Sequence, residues 1–537
     1  MGLKYDIERF DSRRSPVLAR QGMVATTQPL AAMAGLRVLL GGGNAVDAAV
    51  ASAACLGVTE PFQTGVGGDA FALIYRSDTG RVQALNASGP APRLAQLEEY
   101  RRRGWSEIPP DSPLSWTVPG CVDGWHQMLK AHGTWTLRDV LAPAIQYADD
   151  GFPVSPVDAH YWHRETPRLL RDPGCRKMLL IDGHPPKPGD VLVQKELAKT
   201  LRLIAEGGRD SFYCGEIAEK LVAYSDTAGG LLKREDLKAY SAEWCEPIGI
   251  EYHGFRVLEC PPNGQGLAAL LSLRAVENSS FSTLPRDSAE CWHLLIEAAK
   301  LGLAGSSAYV ADPRFQAVPV EELLSDEHTR ENSRKLAAAA KATDGTEHFG
   351  AGMANTAYVA VVDKAGNAVS LISSVYDNFG SGHAVDGLGF VMQNRGRGFS
   401  LDPAHPNRLA PGKRPYHTII PSMMLRNGRL YACVGFVGGF LQPQGHLQLI
   451  VNLVDYGMDS QAAVNALRFR WFEGRRVLAE DGLPPETYIG LESRGHEVLR
   501  QRGHYGLGGA QIIILDEARG VIEAGSEPRM DGCAVGF

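Results

Sequence analysis

Apolar positions fall into two kinds of run along this chain, and the change-over comes near residue 350. Close to the start, residues 22–26 read as a strand. Pro29–Leu40 carries apolar residues at helical spacing and stops at Gly41, Gly42 and Gly43, since consecutive glycines terminate a helix. Asn44 opens a second helix over 45–56, so rich in alanine that it is thin enough to lie close against a sheet. A glycine loop over 64–69 precedes a strand over 71–75. From 100 to 350 the chain reads mainly helical. Apolar spacing near 3.6 marks 135–150, 194–206 and 215–224, and 287–341 is largely helical too. Short strands at Ile248–Tyr252 and 255–258 interrupt these helices, and a turn-rich loop over 261–266 leads into another. Residues 349–354 are loop-like. A buried strand over 355–363, a turn over 364–367 and a returning strand over Ala368–Ser374 follow. Further strands are expected at 423–425, 430–435, 511–515 and 521–524, with a helix over about 445–456 between them. Strands and helices in separate runs predict sheet layers with helices on their outer faces. No repeat of fixed period occurs.

Composition narrows the function. A length of 537 residues allows two to four domains or one large composite domain. A net charge of −7, from 54 basic and 61 acidic residues, argues against a nucleic-acid-binding surface. With 44% hydrophobic and 21% charged residues, disorder, collagen and coiled coil are excluded. Sixty glycines exceed the usual share of about 7% and hint at tight loops around a site. The first residues lack an apolar core and a small-residue cleavage site, and no run of about 18 apolar residues follows, so neither a signal peptide nor a membrane span is expected. Nine scattered cysteines, odd in number and without a CxxC pair, suit a reducing, cytoplasmic setting. A phosphate loop, HExxH, GxSxG and an EF-hand are all absent. Residues 65–70 match a dinucleotide fingerprint only in part and precede a strand instead of a helix. His160 and His163 could share a helix face, but no third metal ligand accompanies them. Neither a metal nor an organic cofactor is expected.

Seven segments, in family order across nearly the whole chain, resemble the γ-glutamyltransferase family of N-terminal-nucleophile hydrolases. They are residues 42–49, 64–71, 118–120, 355–370, 412–415, 437–439 and 525–529. The resemblance implies an α+β fold, a four-layer αββα sandwich of antiparallel sheets flanked by helices, made as one inactive precursor. It also implies self-cleavage between Asn355 and Thr356, giving associated subunits 1–355 and 356–537 from one chain. Thr356 would then be both the nucleophile and, through its freed α-amine of pKa about 7.7–8.0, its own base. Ser374 falls where the family has a second hydroxyl residue, placed to accept from the Thr356 amine or to polarise its hydroxyl. Gly438 and Gly439 match the pair whose N–H groups form the oxyanion hole.

The sequence departs from the family where the glutamyl head is gripped. Ser88 stands at the carboxylate-binding arginine's place, Gly398 at the amine-binding aspartate's and Tyr376 at an asparagine's, while His417 and Thr418 replace a serine pair. Each charge-assisted bond lost is worth about 1.5–3 kcal/mol, so weak or no γ-glutamyl transfer is expected. Arg395 and Arg397 instead suggest a basic pocket for a small anionic amide, and this loop resembles the oxamate amidohydrolase-like branch. The sharpest expectation is hydrolysis of an amide such as oxamate through a threonyl acyl-enzyme. The alternatives are a γ-glutamyltransferase or glutathione hydrolase, a cephalosporin-type acylase, or an unprocessed binding or scaffold protein. Partners are expected to be a small-molecule amide, with neither nucleic acid nor membrane; whether two such heterodimers pair is left open.

Overall fold

The alternating apolar segments assemble into two antiparallel sheets of seven strands each in this computed structural model, which describes residues 14–338, 341–343, 355–502 and 506–537. The first residues of the chain and the loop expected at 349–354 lie outside these. The first sheet runs, edge to edge, Cys533–Gly536, Met23–Thr26, Ala357–Val362, Ala368–Ser374, Asp69–Arg76, Arg81–Ala87 and Glu243–Cys245. The second runs Val17–Ala19, Val521–Ser526, Gly509–Asp516, Arg429–Val437, Pro421–Arg426, Phe255–Glu259 and Ile248–Tyr252.

Three large apolar clusters fill the three interfaces of four layers. Helices Ala45–Thr59 and Cys121–His132 cover the outer face of the first sheet through Val50, Leu56, Val122, Val359 and Leu371. Helices Gly266–Val276, Ala289–Tyr309 and Gln442–Val454 cover the second through Leu270, Ile296, Ile450, Val434 and Ile512. Phe71, Leu73, Tyr358 and Ile372 of the first sheet meet Met423, Cys433 and Ile513 of the second in the middle. The αββα sandwich is therefore the fold, and strands of the first sheet come from both sides of residue 356.

Most elements lie where periodicity puts them, with revised ends. The alanine-rich helix continues to Thr59; Asn44 caps its start and shares a capping box with Asp47. The helix expected over 194–206 runs on through Lys195–Tyr213, bending at Gly208, whose φ of 64° lies outside the helical range. The helix expected from Gly445 begins three residues earlier, at Gln442. Pro443 marks that start, because the first helical turn is where proline costs no hydrogen bond. His160 and His163 do share one helix, Pro156–Leu169, half-buried and exposed respectively.

The sheets approach closely where Gly435 faces Tyr358: a Cβ at Gly435 would stand 2.3 Å from that ring. Tyr358 is held by the Ser370 hydroxyl at 2.7 Å and cannot turn away freely. Gly435→Val is expected to lower stability by about 1–3 kcal/mol through overpacking, read as a shifted urea midpoint. An unchanged midpoint would contradict this contact.

Candidate active site

Side chains of a strand alternate between its two faces, and paired residues on neighbouring strands share a face. Tyr358 and Ala360 point between the sheets, so Thr356 is in phase to do the same. The pairing Ala357↔Ser373, continued one step, sets Thr356 opposite Ser374. Ser374 is paired on its other side with Asp69, and the pairing Ala70↔Ala87, continued likewise, sets Asp69 opposite Ser88. One end of the first sheet thus carries the row Thr356, Ser374, Asp69, Ser88, facing the gap between the sheets.

All four are buried. The Ser374 hydroxyl donates to the carbonyl oxygen of Asn355 at 3.0 Å and accepts from the Tyr376 N–H at 2.8 Å. Its partner is therefore the carbonyl preceding Thr356, and not the Thr356 hydroxyl. From the opposite side, the Gln442 side-chain amide donates to Thr356 Oγ1 at 3.3 Å. Gln442 opens its helix directly after the turn at Gly438 and Gly439, whose φ values of 131° and 62° lie in the region that favours glycine. Gln265 pins that turn by donating to the Gly439 carbonyl at 2.9 Å and to the Thr418 carbonyl at 2.6 Å.

Ser88 stands three strand spacings from Thr356, about 14 Å. Its short side chain stays there, donating to Asn86 Oδ1 at 2.7 Å and accepting from Asn263 Nδ2 at 3.3 Å. His417 is wholly buried. Its Nδ1 accepts from the Ile419 N–H at 3.4 Å, which leaves the proton on Nε2 to donate to Asp69 Oδ2 at 3.0 Å. Burial, with the charges of Arg395 and Arg414, holds the His417 imidazole well below its usual pKa and keeps it neutral. The other Asp69 oxygen accepts from Gly89 and Gly120 N–H and from Gln393 Nε2, at 3.1, 3.0 and 2.9 Å. Burial pushes the Asp69 carboxyl up to about 7, against the pull of Arg395 and these donors.

The two arginines separate. Arg397 is ion-paired with Asp377 and lines an open cavity. Arg395 is fully buried and makes no ion pair with any described carboxylate. Its Nη1 donates to Thr418 Oγ1 at 2.8 Å, its Nε and Nη2 have no partner, and its guanidinium lies 4.1 Å from the centre of the Tyr376 ring. Burial lowers its pKa to about 10, still charged at neutrality. Tyr376 sits at φ 82°, a costly conformation for a residue with a side chain. With Phe399, Tyr416 and Phe440 it forms the aromatic wall of that cavity, of about 340 Å³; Phe440 follows Gly439 directly.

Sequence reasoning gave no role to Asp69, Gln265, Gln393 or Gln442. Asp69 ends the glycine loop at 64–69, so a carboxylate beside glycines was the available signal; nothing local marks the glutamines. Among the described residues, His293, Glu297 and His496 form the one group spaced to hold a metal. There Lys300 already donates to Glu297 at 2.7 Å, and the two histidines bond each other at 2.8 Å.

The family model for gamma-glutamyltranspeptidase matches residues 31–537. The glutathione hydrolase-like YwrD proenzyme of Bacillus subtilis is 38% identical, over 97% of this chain and 99% of that protein. The oxamate amidohydrolase proenzyme of Klebsiella pneumoniae is 34% identical over 97% and 99%. The crystal structure of cephalosporin acylase from Bacillus halodurans matches with a TM-score of 0.92 and 41% identity, covering 100% of this chain and 99% of that one.

Asp69→Asn tests the buried acceptor at the centre of the row. An asparagine oxygen can serve Gly89, Gly120 and Gln393, but its amide then meets the His417 N–H donor to donor. The variant is expected to lose about 1–3 kcal/mol, measured by denaturant unfolding. Full wild-type stability would show that this bond is not made.

Proposed function

The chain belongs to the gamma-glutamyltranspeptidase family, and from that premise we propose that it frees Thr356 by cutting the Asn355–Thr356 bond and hydrolyses an anionic amide at that threonine. The family consists of self-processing N-terminal-nucleophile hydrolases, and this chain is an amidohydrolase of that type. The observation that carries the reading is the Ser374 hydroxyl on the carbonyl of Asn355, beside the Thr356 hydroxyl.

In the uncut chain, Thr356 Oγ attacks the Asn355 carbonyl carbon. Ser374 donates to the oxygen on which negative charge gathers. The C–N bond breaks, the α-nitrogen takes the hydroxyl proton, and water hydrolyses the resulting ester. The chain is then divided into 1–355 and 356–537. The freed α-amine serves as base for the same hydroxyl in turnover: attack on the substrate amide releases the amine, and water hydrolyses the acyl-threonine. Gly438 and Gly439 offer backbone N–H groups to that tetrahedral state. A cytoplasmic setting fits nine cysteines of which none is in a disulfide.

The substrate's anionic end is assigned to Arg395, the buried guanidinium with two unused nitrogens. The Tyr376 ring that lies against this guanidinium also lines the neighbouring cavity. Arg397 is excluded from that role by its pairing with Asp377. An amide as small as oxamate satisfies Arg395 and leaves most of the cavity empty. The cavity of about 340 Å³ and its aromatic wall therefore favour a second reading, an acylase for a larger acyl group. A γ-glutamyl substrate fits less well, since Ser88 and Gly398 supply no counter-charge to its amino-acid head. An unprocessed scaffold gives way to an enzyme, given relatives that are hydrolases and acylases.

Purified protein is expected to run as two bands of about 38 and about 20 kDa, in proportion to 355 and 182 residues of a 58.0 kDa chain. Thr356→Ala is expected to leave one full-length band and no ammonia release from an amide panel; cleavage or turnover in that variant would remove the nucleophile assignment. For the anion site, Arg395→Met is expected to raise KM for oxamate by about tenfold to a hundredfold, from the loss of about 1.5–3 kcal/mol, and Arg397→Met by less than about twofold. Equal effects at both positions would reject the assignment to Arg395.

A further inference from the structure

Among the described residues, the Gln442 side chain is the one hydrogen-bonded to the Thr356 hydroxyl, and nothing in the chemistry above uses it. It is fully buried, in the first turn of the helix Gln442–Val454. Its amide cannot be turned round. The Ile420 backbone N–H, a donor only, occupies Oε1 at 3.0 Å, so Nε2 faces Thr356. Gln444, two residues on, carries the same side chain to a different end: it bonds the Phe440 and Trp471 carbonyls and the Trp471 N–H, tying its helix to a neighbouring strand. The two glutamines flanking Pro443 thus face a reacting atom and the scaffold respectively.

We propose that Gln442 is a catalytic hydrogen-bond donor to Thr356 Oγ, acting in self-cleavage and in breakdown of the acyl-enzyme. The inference rests on the reading of Thr356 as nucleophile. A donor fixed on Oγ makes that oxygen an acceptor, so the hydroxyl's own proton points elsewhere, free to leave to the nitrogen. As the proton leaves, negative charge grows on Oγ, and Nε2–H stabilises it. In the ester-hydrolysis steps, water adds to the acyl carbon and the C–Oγ bond breaks. The electron pair returns to Oγ, which regains a proton, and the acid departs. The same amide N–H meets the departing oxygen. Ser374 serves the carbonyl oxygen and Gln442 the threonine oxygen, so the two atoms that carry charge each have a donor from a different layer of the fold.

The test needs no knowledge of the external substrate, because the Asn355–Thr356 bond is a substrate held in the chain. Full-length protein is made by cell-free synthesis, and loss of the full-length band is timed between pH 5 and pH 9 for wild type, Gln442→Glu, Gln442→Met and Thr356→Ala. Gln442→Met, which fills the space without a donor, is expected to cleave about tenfold more slowly with an unshifted pH profile. Gln442→Glu keeps an acceptor for Ile420 but presents a second oxygen to Thr356. That oxygen donates only when protonated, so its cleavage rate relative to wild type is expected to rise as pH falls. Thermal unfolding of each variant reports folding separately. Wild-type rates in Gln442→Met, or a wild-type pH profile in folded Gln442→Glu, would overturn the donor role. Cleavage in Thr356→Ala would instead overturn the nucleophile reading on which it rests.

Discussion

The antiparallel register between Ala357–Val362 and Ala368–Ser374 is the constraint on which the site depends. It sets Thr356 opposite Ser374, and the next pairing sets Ser374 against Asp69. A slip of one residue between the first two strands would turn Thr356 to the outer, helix-covered face while Ser374 and Asp69 stayed between the sheets. The register is held from both faces at once. Val359 and Val361 are buried against the outer helices, while Tyr358 and Ala360 are buried between the sheets. A strand buried on both sides cannot slide without exposing one apolar set and stranding the other, so the chemistry inherits its alignment from the core.

The electrostatics follow from placing polar groups where the two sheets cease to touch. Asp69 and His417 are both wholly buried, and each survives there because its partners are complete. The carboxylate accepts four bonds, and the imidazole donates one and accepts one. Arg395 breaks this pattern. It has one bond to Thr418, the face of Tyr376 and two unbonded nitrogens, which leaves a buried cation short of acceptors. Two other buried arginines are paired with carboxylates: Arg529 with Glu480 and Glu527, Arg468 with Glu527. The contrast leaves Arg395 a buried guanidinium with hydrogen-bonding capacity to spare.

That contrast also sorts the segments through which the family was visible. The segment 525–529 supplies Glu527 and Arg529, which bind the helix Ser460–Asn465 region and the strand Arg476–Glu480 to the second sheet. Segment 412–415 does similar work, with Arg414 bonded to the Ser88 carbonyl and to Glu243. Segments 64–71 and 437–439 border the site itself. Family likeness along the chain is thus a mixture of chemistry and joinery, and only contacts tell the two apart.

Local pattern determined the strands on either side of residue 356, the capped helices before residue 60 and the layered fold class, because these follow from the alternation of apolar residues and from turn and cap chemistry close by in the chain. Resemblance added a threonine, a serine and two glycines whose roles composition could not supply. The tertiary structure alone decided that Ser374 reaches the Asn355 carbonyl, that Arg397 is spent on Asp377 while Arg395 is not, that Ser88 stays about three strands away, and that Gln442 and not Gln444 meets the threonine. The contacts among these join residues 19, 20 and 86 positions apart. A side chain's partner at such range is fixed by how sheets and helices stack, and that is written in no short stretch of sequence.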